Sequence, residues 1–215
     1  MARPRGAKAR AGAVVELLKG LYPDARCALN HTSAYELLAA TILSAQCTDE
    51  RVNMVTPVLF ARFPTTADLS HADPSEVEEV IRSTGFFRSK TKNLIGMAQG
   101  VEDRFGGEVP VDLADLVTLP GVGRKTGNVL RSVWFGEPGL PVDTHVTRLS
   151  HRLKLTNETD PVKIETDLGG MVAPEEWGLL SLRLIEHGRQ VCDARKPRCD
   201  GCGLAGVCPS AGRFG

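Results

Sequence analysis

Four of the six cysteines crowd into residues 192–208, as Cys192, Cys199, Cys202 and Cys208 in the spacing C-x6-C-x2-C-x5-C. A stretch of this kind closes on itself through disulfides, through a structural zinc or through an iron–sulfur cubane. Disulfides mainly staple chains too small to build a core, whereas 42% of these 215 residues are apolar, enough for a core of ordinary size. Tetrahedral zinc is usually held by two close cysteine pairs. Only Cys199 and Cys202 make such a pair here, and the longer, unequal gaps suit the four corners of a cubane better. The expectation is a metal site, with a [4Fe–4S] cluster ahead of zinc. The first gap, Asp193-Ala194-Arg195-Lys196-Pro197-Arg198, then becomes a short tip bearing three cations. Such a tip either contacts phosphate or offsets an anionic cluster. Cys27 and Cys47 lie far away in sequence, and Cys47, after an apolar segment, reads as a small buried residue.

Helical signals dominate the rest of the chain. Leu37, Leu38, Ile42 and Leu43 have the spacing of a buried helical stripe. Asp73-Pro74-Ser75-Glu76 supplies a cap, a first-turn proline and a first-turn acid, and Gly85 supplies a stop. Asp160-Pro161 and Ala173-Pro174 read as two more starts, and Pro57 should kink or break the helix it falls in. Strand-like alternation is scarce; Val109-Pro110-Val111 is too short to found a sheet. The fold class that follows is all-α, with roughly ten short helices.

The formal net charge is zero, so the total is silent about nucleic acid, but its distribution is not. Residues 1–10, 119–135 and 189–198 are basic, while the balancing acids fall in 102–115 and 158–176. Either these runs are solvated surface or they build a face that steers a polyanion. No apolar run approaches the ~20 residues that span a bilayer, and the basic N-terminus lacks the apolar stretch of a secretory signal. A cytoplasmic protein without a membrane partner is expected.

The most specific stretch is Leu119-Pro120-Gly121-Val122-Gly123-Arg124-Lys125-Thr126-Gly127. Leu-Pro ends one helix, Gly-Val-Gly makes a tight turn with unhindered amides, and a second helix begins there. That is an anion site built from backbone N–H groups and a helix dipole. A Walker loop is excluded, because its first glycine is missing and no strand precedes the turn. Lys125 falls in the first turn of the second helix, where the dipole and the neighbouring Arg124 favour loss of its proton and hence nucleophilic attack. An ordinary phosphate-binding lysine is the plainer alternative. Downstream, Val142-Asp143-Thr144-His145-Val146 places Asp143 as a helix cap. A carboxylate so fixed can also face positive charge developing on a sugar. His145, without close cysteine partners, is a helix-surface or pocket-wall residue.

Taken together, the Leu-Pro-Gly-Val-Gly-Arg-Lys-Thr hairpin, Val-Asp-Thr-His-Val, Leu43-Ser44-Ala45-Gln46-Cys47-Thr48-Asp49 and the cysteine loop resemble the endonuclease III family over residues 13–209. The resemblance implies a helix-hairpin-helix glycosylase fold. Its six-helix domain would take residues 27–137, and a [4Fe–4S] cluster domain would take 1–26 and 138–215. It implies base-excision repair: a monomer that removes oxidised or ring-damaged pyrimidines from duplex DNA and nicks the abasic strand by β-elimination, located in the cytoplasm on the nucleoid. Carried over residue by residue, Lys125 forms the Schiff base and Asp143 supports base departure. Gln46 fills the gap left by a flipped nucleotide, and Phe86 wedges the opposite strand. Gly121 and Gly123 grip phosphate with their amides, Arg195 and Lys196 contact DNA, Ser44 and His145 line the pocket, and the four cysteines hold the cluster. Two positions depart from the family pattern. Val117 stands where relatives can carry a carboxylate, and Phe86 is larger than an aliphatic wedge. Base-only adenine glycosylases of this fold lack the hairpin lysine, so Lys125 points to a bifunctional enzyme. A non-catalytic DNA-binding module would need neither Lys125 nor Asp143, and an iron–sulfur redox protein would not need the hairpin.

The cysteine spacing has a direct test. Protein purified anaerobically from iron-replete cells should be yellow-brown and carry about four irons per chain, and Cys199→Ser or Cys202→Ser should leave it poorly folded. Stoichiometric zinc in that preparation would contradict the cubane.

Overall fold

A computed structural model describes residues 3–213. Among these residues the structure is helical throughout, with no strand. The chain divides into two compact units, one of residues 27–136 and one that joins 1–26 to 137–215. No helix among the described residues is long and apolar enough to cross a membrane.

The unit 27–136 is built around α2 (Ala34–Leu43). Ser33 caps it, its side chain accepting from the Glu36 amide. Leu37 through Leu43 are all buried, so α2 is a central helix enclosed on every side rather than one with a single apolar stripe. Against it pack α3 (Asp49–Arg62) and α6 (Phe87–Phe105), and on α6 in turn pack α4 (Thr66–Ser70) and α5 (Pro74–Ile81). Leu38, Leu43, Leu59, Leu94 and Met97 share their core, and burying each such side chain contributes about 1.5–3 kcal/mol. Pro57 lies inside α3, which runs on unbroken. The ring is on the exposed face of that helix, so the Asn53 carbonyl that it leaves without an amide can turn to water. Asp73 starts α5 as its composition implies, Oδ1 accepting from the Ser75 amide at 2.7 Å. A 3-10 turn, Arg82–Thr84, follows, and Gly85 ends it.

The hairpin lies between α7 (Leu113–Leu116) and α8 (Arg124–Val129). Leu119 and Val122 are buried in the unit's core and anchor the turn from both sides. Gly121 has φ +76°, and a Cβ there would stand 2.8 Å from Asn93 Cβ. At Gly127 a Cβ would stand 2.5 Å from Leu113 Cδ1, so the two hairpin helices approach closely because this position has no side chain. Beyond Val129 the helix widens into a π-turn, Leu130–Trp134, which the Phe135 amide closes on Leu130 O at 3.2 Å.

The second unit joins α1 (Ala7–Leu21) to α9 (Thr144–Arg152), α10 (Pro161–Gly169) and α11 (Trp177–Gln190). Leu18, Leu140, Val146, Leu149, Ile164 and Leu184 form its core. Cations of the basic N-terminal run do structural work here. Arg10 donates to Leu153 O at 2.6 Å and Lys154 O at 2.8 Å, and Arg3 pairs with Asp167 at 3.3 Å. These two arginines are therefore not a free phosphate-seeking patch.

The hairpin glycines differ in a way that stability measurements can read. Gly121→Ala meets both a left-handed backbone and Asn93, and should lower the unfolding free energy by about 1–3 kcal/mol. Gly123 has φ −91° and open space where a Cβ would go, so Gly123→Ala should stay within about 0.5 kcal/mol of the parent. Urea unfolding checks both.

Candidate active site and cysteine loop

Lys125 is the second residue of α8 and is exposed. Gly123 caps that helix with an extended backbone and no side-chain cap, so the first amides of α8 are not taken by a side chain of the cap residue. They are oriented for an anion. Val117 is exposed just ahead of the hairpin, and Thr118 behind it accepts from Arg104 Nη1 at 2.7 Å.

Asp143 caps α9, Oδ1 accepting from the Val146 amide at 2.8 Å. The cap fixes one carboxylate oxygen and the side chain stays half-buried. His145, two residues on, is half-buried with its Nδ1 3.1 Å from Arg148 Nη2. Burial lowers its pKa, with Asp143 opposing and Arg148 adding to the shift, so the neutral imidazole is favoured.

Gln46 and Phe86 share an unusual backbone. Both are exposed and both are left-handed, with φ +52° and +47°. A non-glycine residue held there costs about 1–3 kcal/mol and persists only where the surroundings enforce it. Phe86 is 66% exposed, a large apolar ring presented to solvent at the start of α6. The guanidinium groups of Arg82 and Arg88 stand 5.4 and 5.7 Å from the Phe87 ring beside it. Ser44 is half-buried and donates to Thr41 O at 2.8 Å, so its hydroxyl closes the end of α2.

Cys192, Cys199, Cys202 and Cys208 line one cavity in the unit of the chain ends. None is in a disulfide. Burial pushes the Cys202 and Cys208 thiols up, so these two give up their protons readily only to a cationic partner. Their N–H partners suit such a group: Arg152 Nη1 lies 3.2 Å from Cys192 Sγ, and the Leu204 amide lies 3.4 Å from Cys202 Sγ. Among the described residues no three cysteine, histidine or acidic side chains converge on one ion-sized point.

Several neighbours of these groups carry no sequence signal. Arg152 donates to Asp193 O at 2.6 Å and Ala194 O at 2.8 Å, and Asp193 Oδ1 accepts from the Arg195 amide at 2.8 Å. The tip bearing Arg195 and Lys196 is thus pinned from inside while both cations stay exposed. Tyr22 O–H lies 2.9 Å from His187 Nδ1, and His187 Nε2 lies 3.4 Å from Cys202 Sγ. Burial drops His187 to about 4, so the neutral ring can accept from tyrosine and donate to sulfur. Lys90, on α6, is 4% exposed and donates to Leu43 O and Thr84 O, both at 2.8 Å. Pattern reading misses all of these, because each is defined by a partner distant in sequence.

The family model of the HhH-GPD superfamily of base excision DNA repair proteins matches residues 39–174. An endonuclease III from Synechocystis sp. is 53% identical over 205 residues, covering 95% of this chain and 94% of the relative. This chain belongs to the endonuclease III family. A solved endonuclease III in a non-covalent complex with DNA superposes with a TM-score of 0.91 at 39% identity, covering 96% of this chain and 97% of that one. An endonuclease III trapped as a covalent intermediate with DNA matches with the same TM-score at 40% identity and the same coverage. The all-α helix-hairpin-helix fold expected from the sequence is therefore the fold of this chain.

The exposed tip carries its own test. Neutralising Arg195 and Lys196 together should weaken binding to every duplex alike and flatten the salt dependence by up to about two phosphate units. A loss confined to one lesion, measured by titration at several salt concentrations, would contradict phosphate contact.

Proposed function

We propose that this endonuclease III family member removes oxidised and ring-damaged pyrimidines from duplex DNA and then nicks the abasic strand, with Lys125 as nucleophile. The enzyme is a DNA glycosylase and abasic-site lyase of base-excision repair. What supports Lys125 is its place: an exposed amine at the second position of a helix that opens directly from an anion-binding turn. Backbone phosphate held by the amides around Gly121 and Gly123 brings the sugar to the amine.

The chemistry then follows from the groups available. The neutral amine of Lys125 attacks C1′, and the damaged base leaves with the bonding pair. Asp143, fixed by its bond to the Val146 amide, offsets the positive charge that develops on the sugar. The nitrogen then gives up a proton, the C1′–O4′ bond breaks with its pair going to O4′, which takes up a proton, and the sugar is left ring-opened as the Lys125 iminium at C1′. Removal of a C2′ proton expels the 3′ phosphate by β-elimination, and water hydrolyses the imine to free the lysine. Extrusion of the nucleotide precedes all this and costs a few kcal/mol. Gln46 fills the vacated stack and Phe86 separates the opposite strand; Phe86, an aromatic ring in place of an aliphatic wedge, sets opposite-base preference. Ser44 and His145 wall the base pocket. The cysteines hold a [4Fe–4S] cluster, which when bound cross-links the loop and presents Arg195 and Lys196 to phosphate. The enzyme works as a monomer on the nucleoid.

The two catalytic roles separate on two substrates. Asp143→Asn should keep DNA binding but slow base release ~10²–10³-fold, while retaining measurable nicking of an already abasic duplex, where no base has to leave. Lys125→Gln should bind and show almost no nicking of either. Single-turnover gels on a lesion duplex and an abasic duplex decide this. Equal losses for Asp143→Asn on both substrates would contradict the assignment.

A further inference from the structure

Gln46 and Phe86 stand on separate loops, each in a left-handed backbone that the local sequence does not favour. Something must hold both. Leu43 is the last residue of α2, and its carbonyl has no following helical turn to receive. Thr84 ends the 3-10 turn before Gly85 and Phe86. Lys90 Nζ donates to both carbonyls at 2.8 Å, and the Lys90 amide donates to Phe86 O at 3.0 Å. One residue thus binds the start of the Gln46 loop and both sides of the Phe86 turn.

The choice of a lysine is informative. Its ammonium is buried and sits in the first turn of α6, so both desolvation and the helix dipole oppose the charge. Burial indeed lowers its pKa, with the nearby Cys47 as the opposing influence. An apolar residue of similar length would fill the same space without that cost. What only the amine supplies is two directed N–H bonds to two carbonyls on different loops.

We infer that Lys90 is a positioning residue for base extrusion: its buried amine fixes the loop of Gln46 and the turn of Phe86 relative to each other, so that plug and wedge enter the duplex as one rigid pair. This rests on the roles given above for Gln46 and Phe86. Both loops lie in the unit 27–136, so the inference involves that unit alone.

The test compares Lys90→Met, Gln46→Ala/Phe86→Ala and the triple variant. Two single-turnover readouts are used: excision of a well-stacked lesion from fully paired duplex, and borohydride-trapped adduct formation on abasic duplex. Lys90→Met should slow excision about tenfold and adduct formation by less than about threefold, because the abasic site needs little unstacking. The triple variant should be no slower in excision than the double, since Lys90 acts only through the two side chains it positions. Lys90→Gln, which keeps an NH2 donor group on a shorter, uncharged side chain, should fall between parent and Lys90→Met, and it carries the comparison if Lys90→Met does not fold. A merely structural lysine would slow both reactions alike, or add its loss in full to the double variant; either result overturns the inference. An equal loss on both substrates in Gln46→Ala/Phe86→Ala would instead sink the plug-and-wedge roles, and the inference with them.

Discussion

The candidate active site depends on how tightly the hairpin is seated. Leu119 and Val122 enter the core of the unit 27–136, Gly121 lies against Asn93, and Leu113 occupies the space that a side chain at Gly127 would need. These contacts leave little room around the turn and restrict how it can move. Because the anchoring side chains point inward, the amides of the turn and Lys125 face outward. An anion-facing turn and an exposed amine are thus two consequences of one packing arrangement, with the helix dipole contributing to the first.

The other unit uses polar groups for an equivalent purpose. Arg10 joins the N-terminal helix to the carbonyls that end α9, and Arg152 joins α9 to the loop beyond Cys192. The loop is held by guanidinium–carbonyl bonds and by Asp193, and four thiols turn into the cavity behind it. A cluster bound there would add a covalent clamp to a segment that already has directed hydrogen bonds, which keeps Arg195 and Lys196 at a defined place on the surface.

Much of the fold was legible in the sequence where the signal is local. Asp73, Asp143 and Asp160 announce helix starts because a cap is made within three residues. The hairpin is legible because its turn needs glycine at position 121. What failed depended on tertiary placement. Pro57 left a kink or a break open, and of the two the break does not occur: its ring lies on the exposed side of α3 and the helix continues. The stripe expected on α2 is a helix buried all round, since periodicity reports one face and not what covers the other. In the candidate site, the residue types and spacings of Lys125, Asp143 and the cysteines could be read directly. Lys90, Arg152 and His187 could not, because their places are explained only by carbonyls and sulfur brought to them from remote segments.

The central claim is that the amine of Lys125 attacks the sugar. Borohydride reduction of the wild-type enzyme on abasic duplex, followed by proteolysis and mass mapping of the cross-linked peptide, tests it most directly. The account predicts a single adduct, on the peptide containing Lys125 and located at that residue. An adduct on Lys90, on Lys196 or on the N-terminal amine, with Lys125 unmodified, would contradict it.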